Sequence, residues 1–246
     1  MIVSKKHGFV FSRVLKTGST SAQAMFIDSQ ILGSDDIYSG YRNNVDDEPT
    51  PGQNIPSTIS GKMIYKITPY KIPKEIYVKG DGRFPLLGHS TPTEMVRLKF
   101  LSESDLKKFT TYGIVREPID RFLSAWFFYC SLVDVPKTKE ALEASLRKKT
   151  EFPNTFLGKT QRNFFEYEGE LLKNIHVIDF KNLNEELTKI IESYGGKINE
   201  YKKLKSHHRP DWAKQPYQEW LSSDLIAKLQ DLMKVDVEFY NQYTTV

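Results

Sequence analysis

Residues 8–21 read GFVFSRVLKTGSTS, and the pattern of this stretch changes at Gly18. Its first part, Gly8–Val14, is rich in β-forming side chains, which predicts a strand. From Ser19 onward the apolar side chains recur at helical spacing. The stretch therefore predicts a strand, a tight loop and the first turn of a helix.

The loop Lys16–Ser21 has the composition of an anion-binding turn. Gly18 allows the backbone to turn tightly and to approach a ligand closely. The free N–H groups of the first helical turn carry the positive end of the helix dipole. Hydroxyl groups add further donors on Thr17, Ser19, Thr20 and Ser21. Lys16 adds a mobile positive charge, so we expect the loop to bind a phosphate or a sulfate group.

The loop differs from the Walker A motif of P-loop kinases and nucleotide hydrolases. In that motif four residues separate two glycines, and the lysine follows the second glycine and precedes a Ser or Thr. Here Lys16 precedes Gly18, and Asp179 is only a weak candidate for a magnesium ligand. A P-loop-type kinase or hydrolase stays open as the leading alternative. An ordinary helix N-cap with a Ser/Thr-rich first turn is the simpler structural alternative.

Strand patterns alternate with helix patterns along the rest of the chain. Further strands are predicted at Lys62–Thr68, Glu75–Lys79, Pro85–His89, Thr110–Val115 and Ile175–Phe180. Helices are predicted at Thr93–Phe100, Glu103–Phe109, Pro118–Cys130, Leu183–Tyr194 and Leu225–Tyr240. This alternation predicts a three-layer α/β fold, in which helices flank a central, mostly parallel sheet of about four to five strands.

One stretch of the chain lacks both patterns. Residues 34–60 contain Pro49, Pro51 and Pro56 and the acidic run Asp46–Glu48, so we predict a long irregular insertion there. Loops of this length in compact domains are lids, binding loops or disordered segments. No internal repeat or low-complexity linker divides the 246 residues, and we therefore expect a single domain.

The bulk composition excludes several classes of protein. With 39% hydrophobic and 27% charged residues, the chain can bury a core. A net charge of +4 suits an anionic ligand but falls short of a nucleic-acid binder. The single cysteine, Cys130, excludes a disulfide framework and a cysteine-based zinc site. There is no apolar run that spans a membrane and no signal-peptide pattern in Met1–His7, so a cytoplasmic protein without a membrane partner is expected.

A second strand-to-helix junction lies at Arg116–Pro118. The strand Thr110–Val115 stops there, and proline suits the first position of a helix. Ligands of parallel sheets bind beyond the carboxyl ends of the strands. Arg116 at this end can bind phosphate oxygens with its planar fork. Ser124 lies two turns into the helix, on a face that can turn toward the same site.

Together the two junctions resemble the sulfotransferases that depend on 3′-phosphoadenosine 5′-phosphosulfate (PAPS), particularly the carbohydrate type that includes heparan 2-O-sulfotransferases. Arg13–Ser21 looks like the 5′-phosphosulfate loop of that family, in which a P-K-T-G-S/T-S/T pattern is usual. Ile114–Ala125 looks like its 3′-phosphate segment, where an arginine and a serine eight residues apart hold the 3′-phosphate. The resemblance covers the donor-binding frame and departs at Leu15, where a proline is common.

The resemblance implies a P-loop-like fold and transfer of a sulfonate group from PAPS to a hydroxyl of an acceptor, a carbohydrate or a small molecule, without a metal. It implies that the donor is bound by Lys16, Thr17, Gly18, Ser19, Thr20, Ser21, Arg116 and Ser124. A C-terminal loop that closes over the nucleotide would add Lys205, Ser206 and Arg209.

The resemblance also implies two catalytic residues. Lys16 would stabilise the bridging oxygen of the donor, and His89 in the segment Gly88–Pro92 would act as the general base. Three carboxylates are reserve candidates for the base: Asp81, Glu94 and Glu117. A capping or core role for His89 stays open at this point.

Other interpretations also stay open. A catalytically inactive nucleotide-binding module would keep the fold without turnover, and the weak net charge disfavours a nucleic-acid binder. The aromatic run Trp126–Tyr129 is interpreted mainly as core, with one ring able to line the acceptor or stack on adenine. Trp212 and Tyr217 are further candidate surfaces on the acceptor side.

Overall fold

The computed structural model shows a central sheet with helices on both faces. It describes residues 1–33, 36–39, 53–54, 56–59, 62–65, 89–97, 99–147, 158–198 and 209–244. The strands predicted at 75–79 and at 85–88 lie outside the described residues. Three of the candidate site residues also lie outside them, namely Asp81, Lys205 and Ser206.

Within the residues that the structure describes, six strands form the central sheet. They are β1 (Ile2–Ser4), β2 (Phe9–Ser12), β3 (Ile37–Ser39), β4 (Gln53–Asn54), β7 (Thr110–Val115) and β10 (Ile175–Asp179). Their order in the sheet is β10-β7-β2-β1-β3-β4. Only β1 within this sheet runs against the others, because it pairs antiparallel with both β2 and β3. Two short hairpins stand apart from the sheet: β5 (Pro56–Ile59) with β6 (Lys62–Tyr65), and β8 (Glu166–Tyr167) with β9 (Glu170–Leu171).

Eight α-helices follow within the described residues. They are α1 (Ser19–Asp28), α2 (Pro92–Arg97), α3 (Glu103–Lys108), α4 (Pro118–Val133), α5 (Lys139–Arg147), α6 (Leu183–Ser193), α7 (Ser223–Leu232) and α8 (Lys234–Thr244). No helix in the described ranges combines the length and the hydrophobicity that crossing a lipid bilayer requires.

The alternation of side chains along β2 explains the layers. Phe9 and Phe11 pack on one face of the sheet with α1 and α6. Val10 points to the opposite face and packs with Met95 of α2 and Leu106 of α3. Successive side chains of a strand point to opposite faces, so a strand with three buried residues in a row needs cover on both sides. The predicted three-layer α/β fold with a mostly parallel sheet is confirmed.

The edge of the sheet beyond β2 corrects the sequence-based prediction. The sequence predicts four to five strands and an irregular insertion at 34–60, but β3, β4 and β5 lie within this stretch. β3 pairs with β1, and its Ile37 is 2% exposed. Without this partner, the backbone groups on the outer side of β1 would lack hydrogen bonds in a strand that is wholly buried.

The C-terminal helical pattern also differs from the prediction. The sequence predicts one helix over 225–240, whereas the structure ends α7 at Leu232 and begins α8 at Lys234. Leu229 of α7 packs in a cluster with α4, while Phe239 and Tyr240 of α8 pack with Val115 and other residues at the carboxyl end of the sheet. One straight helix does not serve two separate clusters, and the break allows both apolar faces to be buried.

Candidate functional site

The loop between β2 and α1 has the backbone of an anion-binding turn. Gly18 is the N-cap of α1 and has φ 77°, in the left-handed region that glycine adopts at least cost. A Cβ at this position would lie 2.9 Å from Cε2 of Phe180, so the position also needs glycine for space. The ordinary side-chain N-cap is excluded as an explanation of the loop, because a glycine has no side chain with which to cap the helix.

The N–H groups of the first turn of α1 are available to a ligand. The first hydrogen bond of the helix runs from the backbone N–H of Ala22 to the carbonyl of Gly18, at 3.2 Å. The N–H groups of the three preceding residues, Ser19, Thr20 and Ser21, therefore have no partner inside the helix. Together with the helix dipole they favour a bound anion.

The hydroxyl groups of the loop serve mainly the loop itself. Thr17 Oγ1 and Ser19 Oγ both donate to the carbonyl of Val14, at 3.0 and 2.8 Å. Thr20 Oγ1 accepts from Nη2 of Arg13 at 2.8 Å. For Thr17 and Ser19 this corrects the prediction that the loop hydroxyls add donors for a ligand, because a hydroxyl that donates to Val14 has no second proton to offer. The backbone N–H groups are the better candidates.

Three side chains from elsewhere in the chain bind carbonyls of the same loop. Arg121 Nε donates to the carbonyl of Leu15 at 3.0 Å, and Arg116 Nη1 donates to that of Lys16 at 3.5 Å. His89 Nδ1 lies 2.6 Å from the carbonyl of Arg13. These contacts hold three successive parts of the loop backbone by their carbonyls.

Lys16 lies at the junction of the loop with α4. Its Nζ is 4.1 Å from the centre of the Phe128 ring, which is a cation–π distance. Burial lowers the pKa of Lys16 from 10.5 to about 8, and the positive charge of Arg116 adds to this shift. A second positive charge and partial burial both disfavour the protonated amine. A bound anion would oppose both effects and favour the protonated amine.

Arg116 follows β7 and has few partners for its charge. Its side chain is 15% exposed, and Cζ lies 4.6 Å from the centre of the Phe180 ring. Asp120 is 3.9 Å from Nη2, and the buried Nε has no hydrogen-bond partner among the described residues. Burial lowers the pKa of Arg116 to about 10, against the opposing effect of Asp120. A buried guanidinium with an unused donor is a candidate site for an anion.

One face of α4 connects these groups. Asp120, Ser124 and Phe128 are spaced by four residues and therefore lie on the same side of the helix. Asp120 at one end approaches both Arg116 and Arg209, the latter with an Oδ1–Nη2 distance of 3.2 Å. Phe128 at the other end contacts Lys16. Ser124 lies between them and is half-buried. The structure thus brings Lys16, Arg116, Ser124 and Arg209 to one site.

His89 has a defined tautomer. The carbonyl of Arg13 can only accept a hydrogen bond, so Nδ1 of His89 carries the proton and the neutral ring keeps a lone pair at Nε2. Burial lowers the pKa of His89 well below its usual value, and the nearby charge of Arg13 contributes. The imidazole is therefore neutral near pH 7, which is the form that accepts a proton.

The two described reserve carboxylates have other partners. Glu94 forms a salt bridge of 2.5 Å with Lys159 and accepts from the backbone N–H of Thr91. Glu117 caps α4 by accepting from the backbone N–H of Asp120 at 2.7 Å, and Tyr217 donates to it at 3.3 Å. Burial raises the pKa of Glu117. Each carboxylate thus has a local structural role beside any chemistry.

The aromatic residues divide between core and site. Trp126 and Phe127 are at most 1% exposed and belong to the core, whereas Phe128 contacts Lys16. Trp212 packs edge-on against Phe127 and Trp220, with ring centres 5.9 and 4.9 Å apart. Of the aromatic run, Phe128 is therefore the ring nearest to the candidate chemistry.

Three buried residues near the site have no predicted role in the sequence. Arg121 and Gln161 are both 0% exposed, and Asp236 is 4% exposed. Arg121 gives a sequence signal in retrospect, because it is a charged residue between the apolar positions Ile119 and Phe122 of α4. Asp236 gives none, since its partners lie 75 or more residues away.

Comparison with known proteins bears on the same residues. The family model described as "Sulfotransferase family" matches residues 1–167 of the chain. No curated protein and no solved structure gives a match. The matched region contains the loop Lys16–Ser21 and the junction from Arg116 to Ser124, and it covers more than half of the chain. The protein is a member of the sulfotransferase family, and the transfer of a sulfonate group is the general activity that this membership carries.

Proposed function

We propose that the protein transfers a sulfonate group from PAPS to a hydroxyl group of a carbohydrate acceptor. The observation that carries the proposal is the contact between Arg116 Nη1 and the carbonyl of Lys16, at 3.5 Å. These two residues belong to motifs that are 100 positions apart in the chain. A donor with one anionic group at each end needs such a pair of positive sites in one place.

The site offers matching partners for both ends of the donor. The N-terminus of α1 supplies backbone N–H groups for the 5′-phosphosulfate, and Lys16 lies beside it. Arg116, Ser124 and Arg209 are our candidates for the 3′-phosphate. The unused Nε of Arg116 favours this assignment, because a phosphate oxygen would give that donor a partner. Lys205 and Ser206 stay candidates for the same nucleotide.

The proposed reaction is an in-line displacement at sulfur. The hydroxyl oxygen of the acceptor forms a bond to sulfur while the bond from sulfur to the bridging oxygen breaks. Adenosine 3′,5′-bisphosphate leaves with the electron pair of that bond. Lys16 stabilises the negative charge that grows on the bridging oxygen, and Nε2 of His89 takes the proton of the hydroxyl. Positioning and charge stabilisation are thus the contributions of the protein.

The carbohydrate acceptor rests on the resemblance of the two motifs to carbohydrate-type sulfotransferases. Phe128 is the ring that we expect beside the acceptor, because it contacts Lys16. An aromatic face beside the reacting group would bind the apolar face of a sugar ring.

Binding of the two nucleotides AMP and adenosine 3′,5′-bisphosphate tests the proposal. They differ only in the 3′-phosphate, so we expect the bisphosphate to raise the Tm clearly more than AMP at equal concentration. Equal shifts would contradict the donor assignment. Turnover of PAPS with hydroxylated acceptors, followed by mass spectrometry, then separates an enzyme from an inactive nucleotide-binding module. Turnover that requires ATP and magnesium would instead favour the kinase or hydrolase alternative.

His89→Asn tests the general base. The amide nitrogen of asparagine can replace Nδ1 as the donor to Arg13, but the amide group is too weak a base to take a proton in place of Nε2. We expect kcat to fall by about 10²–10⁴ while the bisphosphate still raises the Tm as in the wild type. A variant with near-normal kcat would assign His89 a structural role and place the base elsewhere.

A further inference from the structure

A group of buried polar side chains contacts the backbone of Leu15 and of Arg116. It consists of Arg121 on α4, Asp236 on α8 and Gln161, which precedes the short 3₁₀ turn Arg162–Phe164. None of them is more than 4% exposed. Burial of charged and amide groups costs free energy unless all are hydrogen-bonded, so their bonds must be accounted for.

Asp236 is the centre of this group. Its Oδ2 accepts from Nη1 of Arg121, and its Oδ1 accepts from the backbone N–H of Gln161 at 2.5 Å. Arg121 also donates from Nε to the carbonyl of Leu15 at 3.0 Å and from Nη2 to that of Lys159 at 2.9 Å. These hydrogen bonds thereby connect α4 and α8 to the loop between β2 and α1.

Gln161 connects the group to the strand-to-helix junction at Arg116–Pro118. Its Oε1 accepts from the backbone N–H of Arg116 at 2.8 Å, and its Nε2 donates to the carbonyl of the same residue at 2.9 Å. One amide thus binds both polar groups of one residue's backbone. This pair of bonds restrains the peptide planes on both sides of the Arg116 Cα, and therefore the direction in which its side chain leaves the backbone.

The other end of Arg116 is held much less firmly. Its guanidinium lies 3.5 Å from the carbonyl of Lys16 and 3.9 Å from Asp120, and its Nε has no partner in the described part of the chain. The location of the guanidinium consequently depends on the two hydrogen bonds between Gln161 and the backbone of Arg116. A small displacement of a charged binding group removes much of its contribution to ligand affinity, because charge-assisted hydrogen bonds need good geometry.

We propose that Gln161, itself held by Asp236, is a positioning residue that aims Arg116 at the 3′-phosphate and so sets the preference for a 3′-phosphorylated nucleotide. This inference rests on the proposed function, because it assumes that Arg116 binds that phosphate. It assigns Gln161 no contact with the donor.

Gln161→Met tests the inference, because methionine fills a similar volume but cannot bond to the backbone of Arg116. The dissociation constants of AMP and adenosine 3′,5′-bisphosphate are measured by calorimetry for wild type and variant. We expect the ratio of the two constants to fall about tenfold, the equivalent of one charge-assisted hydrogen bond. If Gln161 had a purely structural role, the variant would bind both nucleotides more weakly by the same factor, and the ratio of the two constants would not change.

Two further variants keep the test decisive. Leu106→Ala removes a side chain that is 1% exposed in the cluster on the face of the sheet opposite to α1 and α6, and we expect it to lower stability without changing the ratio. If Gln161→Met does not fold, Gln161→Asn is the substitute, because its shorter side chain does not reach both groups of Arg116. An unchanged ratio in a folded Gln161 variant overturns this inference alone. A wild type without any preference for the bisphosphate overturns the proposed function as well.

Discussion

Replacement of Lys16 by methionine should lower kcat by about 10²–10³-fold, the usual cost of losing one group that stabilises charge in a transition state. Methionine keeps the length of the side chain and can still pack on Phe128, but it carries no charge. Because the leaving oxygen gains its negative charge only during the reaction, the affinity for adenosine 3′,5′-bisphosphate should change much less than kcat.

The measurement is steady-state turnover of PAPS together with calorimetric binding of the bisphosphate. Lys189→Met is the matched control, since this lysine is 62% exposed on α6 and is paired only with its helical neighbours among the described residues. It should leave kcat unchanged. A Lys16→Met enzyme with wild-type kcat would remove Lys16 from the mechanism.

The pH dependence of the wild type gives a second readout of the same residue. The pKa of Lys16 is lowered to about 8, so the free enzyme loses this charge as the pH rises through that value. We expect kcat/KM, which reports the free enzyme, to fall above about pH 8. A bound anion favours the protonated amine, so the alkaline limb of kcat should lie at higher pH. Lys16→Arg, which stays charged, should lose the alkaline limb.

Replacement of Asp236 by alanine should lower the free energy of unfolding by about 3–5 kcal/mol, the usual cost of leaving a buried ion without its partner. Arg121 is 0% exposed, so its charge cannot turn to water when the carboxylate is removed. The backbone N–H of Gln161 would lose its acceptor at the same time. Both effects come from burial, and both act far from the surface.

Urea unfolding measures this effect, and Asp211→Ala is the control. Asp211 also forms a salt bridge, at 2.5 Å from Lys214, but its side chain is 94% exposed, and we expect no measurable change in stability. An Asp236→Ala protein as stable as this control would mean that Arg121 finds another partner. In that case the hydrogen bonds of Asp236 would not be what holds α8 against the site.

The two junctions could be predicted because their signals are local. Lys16–Ser21 and Arg116–Pro118 each join a short β-rich run to a helix, and a few neighbouring side chains encode this change of period. The parallel sheet then brings the carboxyl ends of β2 and β7 side by side, with Phe11 opposite Tyr112 and Ser12 opposite Gly113. General rules of α/β folds were sufficient to place Lys16 near Arg116.

The supporting contacts could not be predicted in the same way. Arg121 and Asp236 are 115 positions apart, and Arg209 and Asp120 are 89 apart. Neither pair could be found from the periodicity of the sequence. Periodicity shows which face of a helix or strand is apolar, but it does not show which distant polar group a side chain contacts. The hydroxyls of Thr17 and Ser19 also turn inward to Val14, which only the path of the folded loop reveals.

The α/β class, and the two motifs at strand-to-helix junctions, thus follow from short runs of residues whose conformational preferences act over a few positions. The hydrogen bond from the Arg116 backbone to Gln161, the tautomer of His89 and the lowered pKa of Lys16 follow from burial among groups that are distant in the chain. Burial removes water as a partner, so each of these groups takes its properties from whichever neighbours the packed fold supplies.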